Sequence, residues 1–396
     1  MAVASDPDPE GLTGATGSTG STPYRRPATA LDAVTALLDA IPADRVGSSG
    51  GADRTRLGVV AGRSGPRFLV PLDFPHAAPQ ACLAYLGLRD LRTRVQRGAV
   101  GLALKARLAR FVTGDVLAAS TAPGSLLAFL ADVLGHADLA VGVGVGSIDE
   151  VWKPTLQVFA PDGTPLAFVK VGLGPVAAKL VSTEADALAR WADHPDPRIV
   201  VPGLLAATTW NDIPIVVVEP LPADSRRLPP GTPGAMAVRT LDGPPTSAPL
   251  ASSPWWTDRA DRWEDDPDVQ PILATIAERH GDGDHEWARW HGDWVPWNLA
   301  RCHLGLVAWD WEYSEPGAPV GLDETHAAYQ VAHVVEGRSV AESLARARAA
   351  APSAWVADAH VAMLATRAVD LADLAGSIPS GHADLLTAAR AAVTHR

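Results

Sequence analysis

The chain has 396 residues, of which 47% are hydrophobic and 20% are charged, a balance typical of folded globular domains. Its formal net charge of -12 argues against general nucleic-acid binding, which needs a clustered positive surface. Two cysteines are too few for a disulfide framework, and the sequence shows neither an export signal nor a long apolar run. The composition therefore predicts a cytoplasmic protein of two or three domains without a membrane or nucleic-acid partner.

The N-terminal third divides into two predicted regions. Residues 1–22 are rich in Gly, Ser and Thr without periodicity and predict a disordered tail. Residues 23–138 alternate strand-like and helix-like segments, which predict an extra, cap-like α/β domain. One of these segments carries apolar residues at near-helical spacing, namely Leu88, Leu91, Val95 and Leu102.

The same helix-like segment is strongly basic. Its cations are Arg89, Arg92, Arg94, Arg97, Lys105, Arg107 and Arg110. They are either a binding stripe for phosphates or an acidic partner, or the solvated face of an amphipathic surface helix, which is the commoner arrangement.

Residues 139–222 have the pattern of an antiparallel meander followed by a helix and two further strands. The runs "AVGVGVGS", "TLQVFA" and "LAFVKV" predict strands, and "PDGTP" between the last two predicts a turn. The next segment predicts a helix in which Leu180, Glu184, Leu188 and Trp191 share one face. This region therefore predicts a small lobe built on a sheet.

Residues 223–396 predict a second, mostly helical lobe. It begins with a connector rich in Pro, Gly and Ser over 223–254, after which segments with helical spacing dominate. Between the helices, strand-like runs on either side of a "CHLG" turn predict a small hairpin.

The stretch "HGDWVPWNL", residues 291–299, places Asp293 and Asn298 five positions apart, and Asp310 follows at the far end of the hairpin. Two carboxylates and an amide carbonyl are oxygen ligands of the kind that suits Mg²⁺. In phosphoryl transfer one such carboxylate also orients the attacking hydroxyl group. The stretch therefore predicts a site that combines a nucleophile-orienting acid with metal ligands.

An HGDxxxxN loop followed by an apolar run and an Asp resembles the aminoglycoside phosphotransferase and choline kinase group, over about residues 140–315. The resemblance implies an α+β, two-lobed protein-kinase-like fold, with an antiparallel sheet in the N-lobe (139–222) and a mostly helical C-lobe (223–396). It also implies ATP or GTP with Mg²⁺ as cofactors, and a small-molecule acceptor. Residues 23–138 lie outside it.

The resemblance assigns roles to individual residues. Asp293 would align or deprotonate the acceptor hydroxyl, while Asn298 and Asp310 would hold Mg²⁺. Lys170 would grip the phosphates and be fixed by Glu184. Backbone groups near Glu219 and Leu221 would bind adenine.

Three features stay open at this point. "GVGVGS", with Gly144 and Gly146, is either a glycine-rich phosphate loop or a strand with a close backbone neighbour. Glu312 is either a further group near the metal or a surface acid. Trp294, Trp297, Trp309 and Trp311 either wall an acceptor pocket or pack in the core.

The sequence thus predicts an ATP-dependent phosphotransferase acting on a hydroxyl group of an aminoglycoside, amino sugar, sugar or amino alcohol. The alternative is a catalytically silent, nucleotide-binding regulatory protein of the same fold. Neither the acceptor nor the oligomeric state can be read from the residues.

Overall fold

The computed structural model describes residues 29–46, 53–62, 65–145, 151–229, 232 and 241–394. The predicted tail over 1–22 and the predicted nucleotide-binding residue Gly146 lie outside these ranges. None of the helices within them is both long enough and apolar enough to cross a lipid bilayer.

The described part of the chain is an α+β protein. Its strands are β1 (Ile41–Pro42), β2 (Arg54–Gly62), β3 (Gly65–Pro71), β4 (Val116–Ser120), β5 (Ala140–Gly144), β6 (Thr155–Phe159), β7 (Pro165–Val171), β8 (Ile199–Val200), β9 (Leu204–Trp210), β10 (Ile213–Val218), β11 (Arg226–Arg227), β12 (Leu241–Pro249), β13 (Asp284–Trp290), β14 (Leu299–Cys302), β15 (Gly305–Ala308) and β16 (Glu315–Pro319). Its α-helices are α1 (Ala30–Leu37), α2 (Ala77–Leu83), α3 (Leu91–Lys105), α4 (Leu126–Leu134), α5 (Pro175–Asp193), α6 (Pro254–Arg262), α7 (Gln270–His280), α8 (Leu322–Gln330), α9 (Val340–Ala350), α10 (Ala354–Ala375) and α11 (His382–Thr394).

A nine-stranded sheet in the order β1-β4-β2-β3-β5-β6-β7-β10-β9 spans the first half of the chain. Strand β3 pairs antiparallel with β5, so that Phe68 lies opposite Gly144. The pairing covers what would otherwise be an open sheet edge at β5. The segment predicted as an extra domain therefore extends the sheet of the N-lobe.

One core serves both parts of this sheet. Val34 of α1 and Leu57 of β2 are buried in the same apolar cluster as Leu156 of β6 and Ile215 of β10. The N-terminal segment contains both helices and strands, as predicted, and its strands pair antiparallel. A separate domain is not confirmed, because the segment shares its sheet and its core with the lobe that follows.

Helix α3 forms where the apolar spacing predicts a helix. Its buried residues, however, are not the ones whose spacing led to the prediction. Leu91, Val95 and Leu102 are exposed, whereas Gly101 and Leu104 are buried. A Cβ added to Gly101 would lie 2.5 Å from the Leu83 side chain, so glycine permits the close approach of α2 and α3. The packed face is therefore defined by Gly101 and Leu104, and not by the residues whose spacing predicted the helix.

The meander β5-β6-β7 and helix α5 form as predicted. Gly163 in the turn between β6 and β7 has φ +89°, a backbone conformation that favours glycine. Helix α5 begins with a proline at its first turn, where no helical N–H is lost, and buries Leu188, Trp191 and Glu184. Glu184 therefore faces the body of the protein.

The C-terminal half contains two small sheets, in the orders β11-β14-β15-β8 and β12-β13-β16, together with α6–α11. The prediction that 223–254 is only a connector was wrong, because β12 pairs with β13. Strand β12 lies at a sheet edge, where prolines such as Pro249 are tolerated since no second neighbour needs their missing N–H. The main core of this half includes Trp255, Trp256 and Trp355.

Candidate active site

The first part of the site joins the sheet to helix α5. Lys170 on β7 donates hydrogen bonds from Nζ to both carboxylate oxygens of Glu184, each at 2.6 Å. Lys170 is 7% exposed and Glu184 is 3% exposed, so the ion pair is buried. Burial raises the pKa of Glu184, against the pull of the Lys170 charge.

Asp310 meets the same lysine from the hairpin of the C-terminal half. It directly follows the residue after β15 and has φ +63°, an uncommon conformation for a residue other than glycine. Its Oδ1 accepts a hydrogen bond from Lys170 Nζ. Burial works against the charged form of Asp310, but the Lys170 and Lys153 charges outweigh it and lower the pKa of the carboxyl group.

The carboxylates also act on Lys170. Burial lowers the pKa of the ammonium group, yet the Asp310 and Glu184 charges more than offset it, so the pKa lies above its usual range. Lys170 is therefore a permanent cation linking the two halves of the chain.

A second ion pair, between Lys153 and Glu312, is also largely buried. It places Glu312, whose role the sequence left open, in contact with a cation from the segment before β6.

The loop from His291 to Asn298 is held by its own side chains. Asn298 Nδ2 donates to Asp293 Oδ2 at 2.8 Å and to the Asp293 carbonyl at 3.1 Å. The Asp293 N–H lies 3.2 Å from Nδ1 of His291, and His291 Nε2 lies 3.0 Å from the Trp309 carbonyl. Burial lowers the pKa of His291 to about 4, so the ring is neutral, with Nδ1 accepting and Nε2–H donating.

Asp323, near the start of α8, anchors this loop through hydrogen bonds to its backbone. Its carboxylate accepts hydrogen bonds from the N–H groups of His291 at 2.7 Å and Gly292 at 3.0 Å. Burial raises the pKa of Asp323 to about 6, although these two N–H groups and Arg367 oppose the rise. Arg367 itself lies over the ring of Tyr313, 4.1 Å from its centroid.

Gly292 is required by the geometry of the loop. Its φ is +87°, and a Cβ at this position would lie 2.0 Å from the Tyr313 carbonyl oxygen. We expect Gly292→Ala to lower the free energy of unfolding by more than about 2 kcal/mol, because strain and a backbone clash act together. Gly317→Ala is the matched control, since Gly317 has φ +65° and open space around the added atom. Thermal unfolding of both variants checks this, and equal losses would contradict the clash.

Asp293 is largely shielded from solvent, with 21% of its side chain exposed. Burial raises its pKa to about 7, Arg367 opposes the rise, and the Asp310 charge adds to it. His326 Nε2 lies 3.8 Å from Asp293 Oδ1, beyond hydrogen-bond distance. A carboxyl group poised near neutral pH has the proton affinity that a general base needs.

A cleft of about 1000 Å³ connects these groups. Lys170, Glu184, Asn298 and Asp310 line it; Asp293 does not, but it is hydrogen-bonded to Asn298. The Trp309 N–H donates to the Asn298 carbonyl at 3.2 Å, which keeps Asn298 and Asp310 on adjoining parts of the hairpin.

Asn298 and Asp310 fit the predicted Mg²⁺ role by their donor atoms. The Asn298 amide nitrogen is committed to Asp293, and one Asp310 oxygen is committed to Lys170. Within the part of the chain that the structure describes, the remaining oxygen of each side chain accepts no hydrogen bond. Two free oxygen ligands at one cleft suit a hard cation that takes its other ligands from phosphates and water.

The predicted adenine-binding segment lies at the edge of the same cleft, which Glu219 and Leu221 line. The Glu219 N–H is occupied by the Gly203 carbonyl at 2.8 Å. The Leu221 carbonyl accepts a hydrogen bond from the hydroxyl group of Tyr85 at 2.9 Å. Over the described ranges, the Glu219 carbonyl and the Leu221 N–H have no hydrogen-bond partner.

Gly144 lies in β5, between Phe68 and Thr155 of the neighbouring strands. A Cβ there would lie 3.7 Å from the Thr155 carbonyl, an ordinary contact, so packing does not demand glycine. Its predicted nucleotide-binding role stays a prediction.

The four tryptophans were expected either to wall an acceptor pocket or to pack in the core, and the structure places them in both environments. Trp294 and Trp311 are each 1% exposed and belong to the core. Trp311, with Trp297 and Trp309, also lines the cleft.

Sequence reasoning missed Lys153, Asp323, Arg367 and Tyr85. A single lysine before a strand carries no local signal, and an acid in the first turn of a helix usually serves the helix dipole. Tyr85 contacts a residue 136 positions away, which no local pattern shows.

No protein-family model matches the chain, and no curated protein matches it in sequence. Solved structures do match it. A thermostable mutant of aminoglycoside phosphotransferase APH(4)-Ia, in a ternary complex with ADP and hygromycin B, is 12% identical, with a TM-score of 0.43 over 68% of this chain and 97% of the other. LicA in complex with AMP is 14% identical, with a TM-score of 0.41 over 68% and 96%. A macrolide 2'-phosphotransferase type I is 15% identical, with a TM-score of 0.37 over 68% and 97%. Two of these three structures are phosphotransferases by name.

Proposed function

We propose that the protein transfers the γ-phosphoryl group of a nucleoside triphosphate to a hydroxyl group of a small molecule. The observation that carries the proposal is the convergence of Lys170, Glu184 and Asp310 at one cleft with Asn298, which is hydrogen-bonded to Asp293. These groups come from both halves of the chain.

Each residue has a part in the proposed reaction. Lys170, fixed by Glu184, would bind phosphate oxygens, and the Glu219 carbonyl and Leu221 N–H would hydrogen-bond the base. Asn298 and Asp310 would hold Mg²⁺, which neutralises charge on the phosphates when it is bound. Asp293 would position the acceptor hydroxyl group.

The step balances as follows. The acceptor oxygen forms a bond to the γ-phosphorus, and the bond from that phosphorus to the bridging oxygen of the leaving diphosphate breaks. The hydroxyl proton passes to the carboxylate of Asp293 and then to solvent. The products are a phosphate ester and a nucleoside diphosphate.

The direct test is an ADP-release screen with MgATP and MgGTP against aminoglycosides, amino sugars, neutral sugars and amino alcohols, with Asp293→Asn as the blank. We expect at least one acceptor to stimulate release in the wild type but not in the blank. Nucleotide binding without release across all acceptors would instead support the silent regulatory protein.

The raised pKa of Asp293 predicts a pH dependence of turnover. Only the carboxylate form accepts a proton, so kcat/KM should fall about tenfold per pH unit below a midpoint near pH 7 and level off above it. Steady-state rates between pH 5 and 9, with the stability of the enzyme checked at each pH, measure this. A midpoint near the usual value for Asp would contradict the role of burial.

A further inference from the structure

The N-terminal segment contributes an unusual wall to the cleft. Arg67 from β3, Arg89 before α3 and Arg97 within α3 all line the same cavity as Lys170. Arg92 and Arg94, from the same basic run, do not line it. The structure thus separates the basic stripe into residues that line the cleft and residues that do not.

The three cleft arginines lack acidic partners. Over the described ranges no carboxylate forms an ion pair with any of them. The nearest acid in sequence, Asp90, is occupied as the N-cap of α3, where both its oxygens accept hydrogen bonds from Thr93.

The arginines also lie close enough to repel one another. Burial, together with the charges of Arg89 and Arg67, lowers the pKa of Arg97 to about 10. Arg97 is held in place nevertheless: its guanidinium donates to the Ala81 carbonyl at 2.6 Å and lies over the ring of Phe68, 5.0 Å from its centroid. Arg97 is thus a positioned guanidinium group that shares one cavity with two further arginines, an arrangement suited to binding an anion.

This cluster is distinct from the phosphate end of the cleft. Phe68, Gly144, Thr155 and Lys170 lie opposite one another on successive strands, so they form one row across the sheet. Three strand spacings separate the first from the last, roughly 14 Å. The Arg97 guanidinium group, which covers the Phe68 ring, therefore lies toward the opposite end of this row from Lys170.

We propose that Arg67, Arg89 and Arg97 form a second anion site in the cleft, which takes a phosphate group other than the one transferred. The inference rests on the proposed function in one respect, because it assumes that the transferred phosphoryl group binds at Lys170. The second phosphate is either attached to the ribose of the nucleotide or is a free ion. In both cases the N-terminal segment would select which phosphate-bearing ligand binds. Its Tyr85 also lines the cleft and donates a hydrogen bond to the Leu221 carbonyl.

The test uses the full chain and isothermal titration calorimetry with four probes: AMP, adenosine 3',5'-bisphosphate, adenosine 2',5'-bisphosphate and orthophosphate. The test variant is Arg67→Gln/Arg89→Gln, whose side chains make no hydrogen bond in the described structure. The matched control is Arg92→Gln/Arg94→Gln, which changes the net charge equally outside the cleft.

If the phosphate is carried on the ribose, a bisphosphate binds the wild type and the control at least tenfold more tightly than AMP, and the test variant loses this gain. If the ion is free, orthophosphate binding weakens at least tenfold in the test variant alone. Affinities for every probe that are equal in the test and control variants overturn the proposal. Absence of turnover in the ADP-release screen would refute the proposed function without altering these binding results.

Discussion

Asp293→Asn should lower turnover by roughly two to four orders of magnitude while leaving nucleotide affinity within about twofold. Asparagine preserves the shape of the loop, because its side-chain oxygen can still accept the hydrogen bond from Asn298 Nδ2. It cannot take the acceptor proton. ADP release with the best acceptor and calorimetric titration of MgADP measure the two quantities.

The same substitution should make the protein more stable at neutral and alkaline pH. The pKa of Asp293 in the folded protein is about 7, above the value of 3.8 for a free side chain. Between these values the folded state keeps a proton that the unfolded state has lost, so the wild type loses stability as pH rises. The gain from asparagine should grow from about pH 4 to pH 7 and then level off at roughly 4 kcal/mol, which is the free-energy equivalent of the difference between the two pKa values.

Asp261→Asn is a suitable control. It removes the carboxylate of an exposed residue, so it should change neither turnover nor stability. Unchanged turnover in Asp293→Asn would refute its catalytic role. Lost turnover with lowered stability would instead point to a damaged loop, because a relieved buried charge cannot destabilise the fold.

The elements that could be predicted from the sequence are those determined by interactions between residues close together in the chain. The turn at Gly163, the helix that buries Glu184, and the loop that joins Asp293 to Asn298 all depend on residues within a few positions of one another. Local spacing and turn chemistry therefore specified them, and the structure confirms these elements.

Long-range pairing could not be predicted in the same way. Strands β3 and β5 are both short apolar runs, and nothing in either run specifies the other as its partner. Without that pairing, the N-terminal segment looked like a separate domain. The arginine run was similarly ambiguous, because which cations face the cleft depends on how α3 packs through Gly101, and not on its exposed leucines.

Lys170→Met should be the most destabilising change at the site. It removes the cation that donates to both oxygens of Glu184, and it leaves that carboxylate buried without a charge partner. Removing one member of a buried ion pair typically costs about 3–5 kcal/mol. MgADP binding should weaken at the same time, since the phosphates lose their cation.

A double-mutant cycle separates these two effects. In Lys170→Met/Glu184→Gln the buried charge is gone from both positions, so we expect most of the lost stability to return. Nucleotide affinity should stay low, because the substitution of Glu184 restores no positive charge. Thermal unfolding and MgADP titration of the wild type, both single variants and the double variant give the coupling energy directly. If the double variant is as unstable as Lys170→Met, the cost arises from packing around the lysine stem or from the unpaired Asp310 carboxylate, and the ion pair with Glu184 is not what joins β7 to α5.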